Sequence, residues 1–184
     1  TNVEELSPRV RYNRGLESHR AGAWEEAAAS FLQARDEAGG DTELRFRAAF
    51  NLGLAIAEDA AALVEQKPQE GIDRLRQSAA WYRDAVRLRP EDDDARVNLE
   101  LVLRRIQILA DQLAWVIHNA RLYQETLQLK EFNEQVLRNT PLPIVLLAPD
   151  LRVVSANQSY LMHRGLNNEE LIGRSLAEAV PDSF

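Results

Sequence analysis

The side chains able to do chemistry are few, and their spacing argues mostly against it. His118 sits in the run Trp115-Val-Ile-His118-Asn119-Ala-Arg-Leu. A phosphoacceptor histidine wants an acid next, then an arginine and a proline within one turn or so. Here an asparagine follows, and no proline comes before Pro141. His118 therefore reads as a flank or core position of a helix. His19 and His163 are far apart and near no carboxylate pattern of metal-site spacing, so no metal is expected. The chain has no cysteine, which excludes disulfides, thiolate metal sites and cysteine nucleophiles. No glycine loop cradles a phosphate, no nucleophile has a base, and no paired carboxylates have a reason to be perturbed. The expectation is a non-enzyme without a cofactor.

The element that must position everything else runs from Ile106 to Asn139 without a proline or glycine. Apolar residues fall at Ile106, Leu109, Leu113, Val116, Ala120, Tyr123 and Leu127, the three-four spacing of one long helix with a narrow apolar seam. Lys130 and Glu134 then stand where the seam should continue, while Leu129, Phe132 and Val136 take up a new row. Such a phase break locally changes a supercoil. Residues Leu113, Val116, Ala120, Tyr123 and Leu127 are the candidate dimer seam. Trp115, Ile117 and Leu122 widen it, which suggests that its first half packs within the chain and its second half is free to pair.

Composition bounds the rest. The chain has 184 residues, 45% apolar and 28% charged, ordinary for one or two small globular domains. A formal charge of −7, with arginines alternating with acids, supplies no basic stripe for nucleic acid or an anionic membrane. No apolar run approaches the roughly 20 residues of a membrane span. The absence of cysteine fits a cytoplasmic chain, and the start at Thr1 suggests a piece of a longer protein.

Before the long helix, the segment Tyr12 to Ala34 has two helical halves with Gly22 at the turn. Gly15, Trp24, Ala27 and Phe31 alternate small and large at helical spacings, so that small residues let helices approach and rings fill the gap. A second unit carries Leu52 and Gly53, then Trp81, Tyr82, Ala85 and Pro90, with a turn expected at Lys67–Gly71. Glu91 to Asp94 are acids suited to start a third helix that opens at Ala95 and caps the last hairpin. On Gly15, Gly22, Trp24, Ala27, Phe31 and Ala34, and on Leu52, Gly53, Tyr82, Ala85 and Pro90, this half resembles tetratricopeptide repeats. The resemblance implies a concave groove for a peptide or partner protein, lined by first-helix residues Asn13, Glu17, Arg47, Asn51 and Asn98. Trp24, Phe31, Trp81 and Tyr82 are expected to be inter-helix packing.

Within the long helix, Asn119-Ala120-Arg121-Leu122-Tyr123 resembles the last helix of a GAF sensory domain running into a signalling linker. The repeats occupy the place of that domain's sheet and pocket. Natural shuffling and a join of two proteins near residues 106–116 both account for this.

After the helix, Pro141-Leu-Pro143 stops it. Ile144–Leu147 and Arg152–Ser155 read as a hairpin around Ala148-Pro-Asp150-Leu151, Asn157 caps a following helix, and a short helix near Asn167 is stopped by Gly173. From Ile144 to Val180 this order resembles a PAS domain. The family implies a sensory or dimerising module, often in bacterial histidine kinases and cyclic-dinucleotide enzymes, with Asn157 tying strand to helix. The chain stops at Phe184, before the rest of such a domain. The flavin photosensors of the family need a cysteine after Gly-Arg, and here Ser175 follows Gly173-Arg174.

The expected fold is mainly α, with tetratricopeptide-like hairpins over residues 1–105, a coiled-coil-like connector over 106–139 and a truncated α/β PAS-like segment over 140–184. The expected role is non-enzymatic signalling, as a homodimer that binds a protein or peptide through its repeats, with no nucleic acid and no membrane span. An output domain such as a histidine kinase would lie outside these residues. The alternative is an interaction scaffold or engineered fusion with no sensing role.

Overall fold

Small residues set against rings shape the first four helices. In the computed structural model, which describes residues 7–179, they are α1 (Pro8–Arg20), α2 (Trp24–Glu37), α3 (Thr42–Leu63) and α4 (Pro68–Leu88). Pro8 and Pro68 each sit in the first turn, where a missing amide costs nothing. Gly22, at φ 74°, supplies the left-handed residue between α1 and α2. Asp41 caps α3 by accepting the Leu44 N–H at 3.0 Å. A Cβ on Gly15 would meet the Phe31 ring at 2.6 Å, and one on Gly53 would meet Tyr82 at 3.2 Å. The glycines are therefore the sockets in which those two fully buried rings lie. Ser78 donates to the Gly53 carbonyl at 2.6 Å and closes α4 onto α3.

The fifth helix, α5 (Asp93–Asn139), is opened by Asp92, whose carboxylate accepts the Ala95 N–H at 2.9 Å. The third repeat helix and the connector expected from Ile106 are thus one continuous helix. Val102 is buried on α5, and Leu99, Ile106 and Leu109 pack with it against Leu75, Ala79 and Tyr82 of α4. The chain divides into two compact units, Thr1–Ile117 and His118–Phe184.

In the second unit β1 (Val145–Leu147) and β2 (Val153–Ala156) form an antiparallel pair, with Val145 opposite Ala156, Leu146 opposite Ser155, and a bulge before Leu147. Short helices α6 (Gln158–Arg164), α7 (Asn168–Leu171) and α8 (Leu176–Ala179) follow. Val153, Tyr160 and Leu171 form the small core. Asn167 and Glu170 make a reciprocal capping box on α7. The fold is mainly α with one long helix and a small two-stranded sheet, as the sequence implies.

Three details differ from the sequence reading. The turn between α3 and α4 lies at residues 64–67, and Gly71 sits inside α4, where a Cβ would meet Val64 at 2.7 Å. That glycine serves close packing rather than a turn. The strands start one residue late: β1 at Val145 rather than Ile144, and β2 at Val153 rather than Arg152, which bridges to Ser175 instead. Trp24 and Trp81 are only half-buried, unlike Phe31 and Tyr82, since alanines beside them leave a cleft. Val180, where the PAS resemblance ends, lies outside the described residues.

Candidate partner-binding groove and connector junction

On α1 and α3 a cleft of about 310 Å³ is lined by Arg9, Tyr12, Asn13, Asp41, Leu44 and Arg47, with Glu43. Two of the five candidate groove residues, Asn13 and Arg47, meet here. Asn51 lies behind them and donates its amide to the Tyr12 hydroxyl oxygen at 2.8 Å. The hydrogen of that hydroxyl has no acceptor among the described residues, so the phenol remains a donor toward the cleft. Burial, its largest influence, pushes the Tyr12 phenol up and keeps it neutral. Glu17 is exposed and Asn98 half-buried, and neither lines this cleft.

The cleft's arginines are pre-positioned by acids. Arg9 meets Asp41 at 3.0 Å, and Arg47 meets Glu43 at 2.6 Å. Arg89, whose guanidinium lies 4.1 Å over the Phe46 ring, also contacts Glu43. The Leu44 amide first, and Arg9 next, hold the Asp41 carboxyl below its ordinary range, and Arg47 does the same for Glu43. The available chemistry is hydrogen-bond donation from amide, phenol and guanidinium to carbonyl or carboxylate oxygens. Among the described residues no group of acids and histidines could hold a metal ion.

Along α5 the candidate seam continues the row that packs on α4. Leu113 is half-buried, whereas Val116, Ala120, Tyr123 and Leu127 are exposed. Lys130 and Glu134 approach to 3.9 Å where the row is interrupted. Trp115 and Leu122, read from the sequence as widening the seam, belong instead to a second row. Leu101, Ile108, Trp115, Leu122, Leu129 and Val136 recur every seven residues, and each is between 46% and 67% exposed. At about 100° per residue this row runs roughly opposite the seam. Its signal was the unbroken seven-residue interval, which passes straight through the phase break.

At the end of α5 one side chain ties four backbone groups together. Asn157 is 5% exposed. Its Oδ1 accepts the Ile144 N–H at 2.9 Å and the Tyr160 N–H at 3.0 Å, and its Nδ2 donates to the carbonyls of Thr140 at 3.2 Å and Leu142 at 2.8 Å. Ser159 donates to the Pro141 carbonyl at 2.5 Å. The residues just after the helix, the residue before the first strand and the start of α6 are therefore held by one amide whose bonding capacity is filled. Glu178 accepts the Ser175 N–H at 3.0 Å, which holds its carboxyl low.

No helix among the described residues is long and apolar enough to cross a membrane. No curated protein and no solved structure matches the chain. A family profile described as PAS fold matches residues 137–184. That stretch begins in the last turn of α5 and takes in the strand pair and the Asn157 tie, so the C-terminal segment is PAS-like.

Proposed function

We propose that the chain is a non-enzymatic, cytoplasmic signalling module. Its helical hairpins are tetratricopeptide-like repeats that take a protein or peptide partner in the α1–α3 groove, where Tyr12, Asn13 and Arg47 donate to peptide carbonyls or carboxylates. Its PAS-like segment senses or dimerises, and α5 is the connector through which two copies pair along Ala120, Tyr123 and Leu127. The full-length protein is of the bacterial sensor-kinase type. The observation that carries this reading is α5 itself: an uninterrupted helix with Val102 buried and Leu99, Ile106 and Leu109 packed against the α4 core at one end, and the Asn157 clamp directly after the other. A helix fixed at both ends can pass a shift in packing from one module to the next.

The groove is tested with an array of peptides about 12 residues long, probed with the wild-type chain and with the Asn13→Ala/Arg47→Ala variant. The reading expects a set of peptides whose binding weakens at least tenfold in the variant, as loss of two donors to a buried acceptor implies. An array on which the two proteins bind alike removes the groove from the proposal.

A further inference from the structure

A second cleft, on other helices, has the features of a side-chain receptor. It encloses about 320 Å³ over α3, between α2 and α4. Leu52 and Ile56 of α3 make the floor, Trp24, Ala28 and Ala29 of α2 one wall, and Trp81 the far wall. The alanines are why the space exists, since a longer side chain at either place would fill it. Both tryptophans were expected to be core, yet both are half-buried here, and neither indole N–H finds an acceptor among the described residues. The indole N–H groups are open to solvent rather than buried, so they are free to donate to a ligand from outside the chain.

Their rings are held in place. His19 meets the Trp24 ring edge-on at 4.9 Å. The Arg35 guanidinium lies 5.2 Å from the centre of the Trp81 ring and is itself fixed by Asp84 at 2.8 Å. Pre-set tryptophans with an arginine at the edge are the composition of interface hot spots. The volume is at the small end of the range for small-molecule sites, which suits one or two anchor side chains better than a cofactor.

Charge decides what accompanies the anchor. At one end of the cleft Arg74 faces two acids, Asp59 at 3.3 Å and Glu25 at 3.5 Å. Two carboxylates against one guanidinium leave a negative charge uncompensated, and Glu25 is largely exposed. We infer that the α2–α4 cleft binds an amphipathic peptide helix, placing a leucine-sized or aromatic anchor between Trp24 and Trp81 and a lysine or arginine about one helical turn away against Glu25 and Asp59.

Tryptophan fluorescence tests this directly in a Trp115→Phe background, which leaves Trp24 and Trp81 as the only reporters. The probes are two 14-residue amphipathic helical peptides with identical leucine spacing, one otherwise lysine and one otherwise glutamate. The expected result is a saturable emission shift with the lysine peptide and at least tenfold weaker binding of the glutamate peptide. Ala29→Leu, which fills the cleft from an exposed position, and Leu32→Glu on its wall should each weaken the lysine peptide at least tenfold while the circular dichroism melt stays intact. The inference is overturned by no emission shift, by equal binding of the two peptides, or by binding that survives both substitutions, which would be adsorption to an acidic protein.

Discussion

Replacing Asn157 with alanine removes the tie between α5 and the PAS-like segment, and the cost can be worked from its four hydrogen bonds. Loss of the α6 cap, the bond from the Tyr160 N–H, is worth about 1 kcal/mol. The bonds with Ile144, Thr140 and Leu142 add about 0.5–1.5 kcal/mol each, and they are part-buried, so water recovers some of that on opening. The sum is roughly 2–4 kcal/mol, confined to residues 140–171. Native-state amide exchange read by mass spectrometry resolves it, because each 1.4 kcal/mol is about tenfold in rate. Peptides from the strand pair and α6 should exchange roughly 30- to 700-fold faster in the variant, while peptides from α2 to α4 keep the wild-type rate. Asn157→Asp retains the two accepting bonds and loses both donations, and should fall between. Exchange over residues 140–171 within threefold of wild type would refute the reasoning, as would an equal loss in α2 to α4.

Other outcomes follow from the packing and from the perturbed side chains. Gly15→Ala drives a methyl to 2.6 Å from the Phe31 ring and should cost about 1–3 kcal/mol, seen as a fall of several degrees in the melt of the helical unit. Burial, then the charge of Glu58, pushes the Tyr82 phenol well above its ordinary 10.0, so the core favours the neutral form. Its contribution is complete below that ordinary value and is lost as pH rises toward the raised one, so Tyr82→Phe should show a flatter alkaline loss of stability in denaturant titrations. Asp41 behaves in the opposite sense. With its carboxyl held below the ordinary range by the Leu44 amide and then Arg9, its contribution is complete above that range and lost as pH falls through the depressed value. Asp41→Asn keeps the cap and should therefore lose less of its helix signal on acidification.

Periodicity and socket residues made most of the fold legible. Gly15 with Phe31 and Gly53 with Tyr82 each pair a small residue on one helix with a ring on the next, and both pairs lie in contact. Asn157 was legible because an asparagine before a helix has few other tasks. What the sequence concealed depends on contacts between elements. Trp24 and Phe31 are both aromatic on one helix, but only the alanines at 28 and 29, set against the distant α4, leave Trp24 beside a cleft. The position of Gly71 inside α4 depends on Val64 in the turn before it. Of the candidate groove, Asn13 and Arg47 converge, whereas Asn51 and Asn98 hold equivalent places before a leucine without lining one cleft. The opposite row on α5 was legible only in pieces, Trp115 with Leu122 and Leu129 with Val136, because the regular three-four seam masked its continuity.

The measurement that most directly tests the central claim, that α5 is a dimerising connector, is the solution mass by light scattering. It should be made on the wild-type chain, on Ala120→Glu/Tyr123→Glu/Leu127→Glu, and on Leu122→Glu/Leu129→Glu. The account predicts a wild-type mass of twice one chain, reduced to one chain by the seam substitutions and unchanged by those on the opposite row. A wild-type mass of one chain, or a dimer indifferent to the seam substitutions, would contradict it.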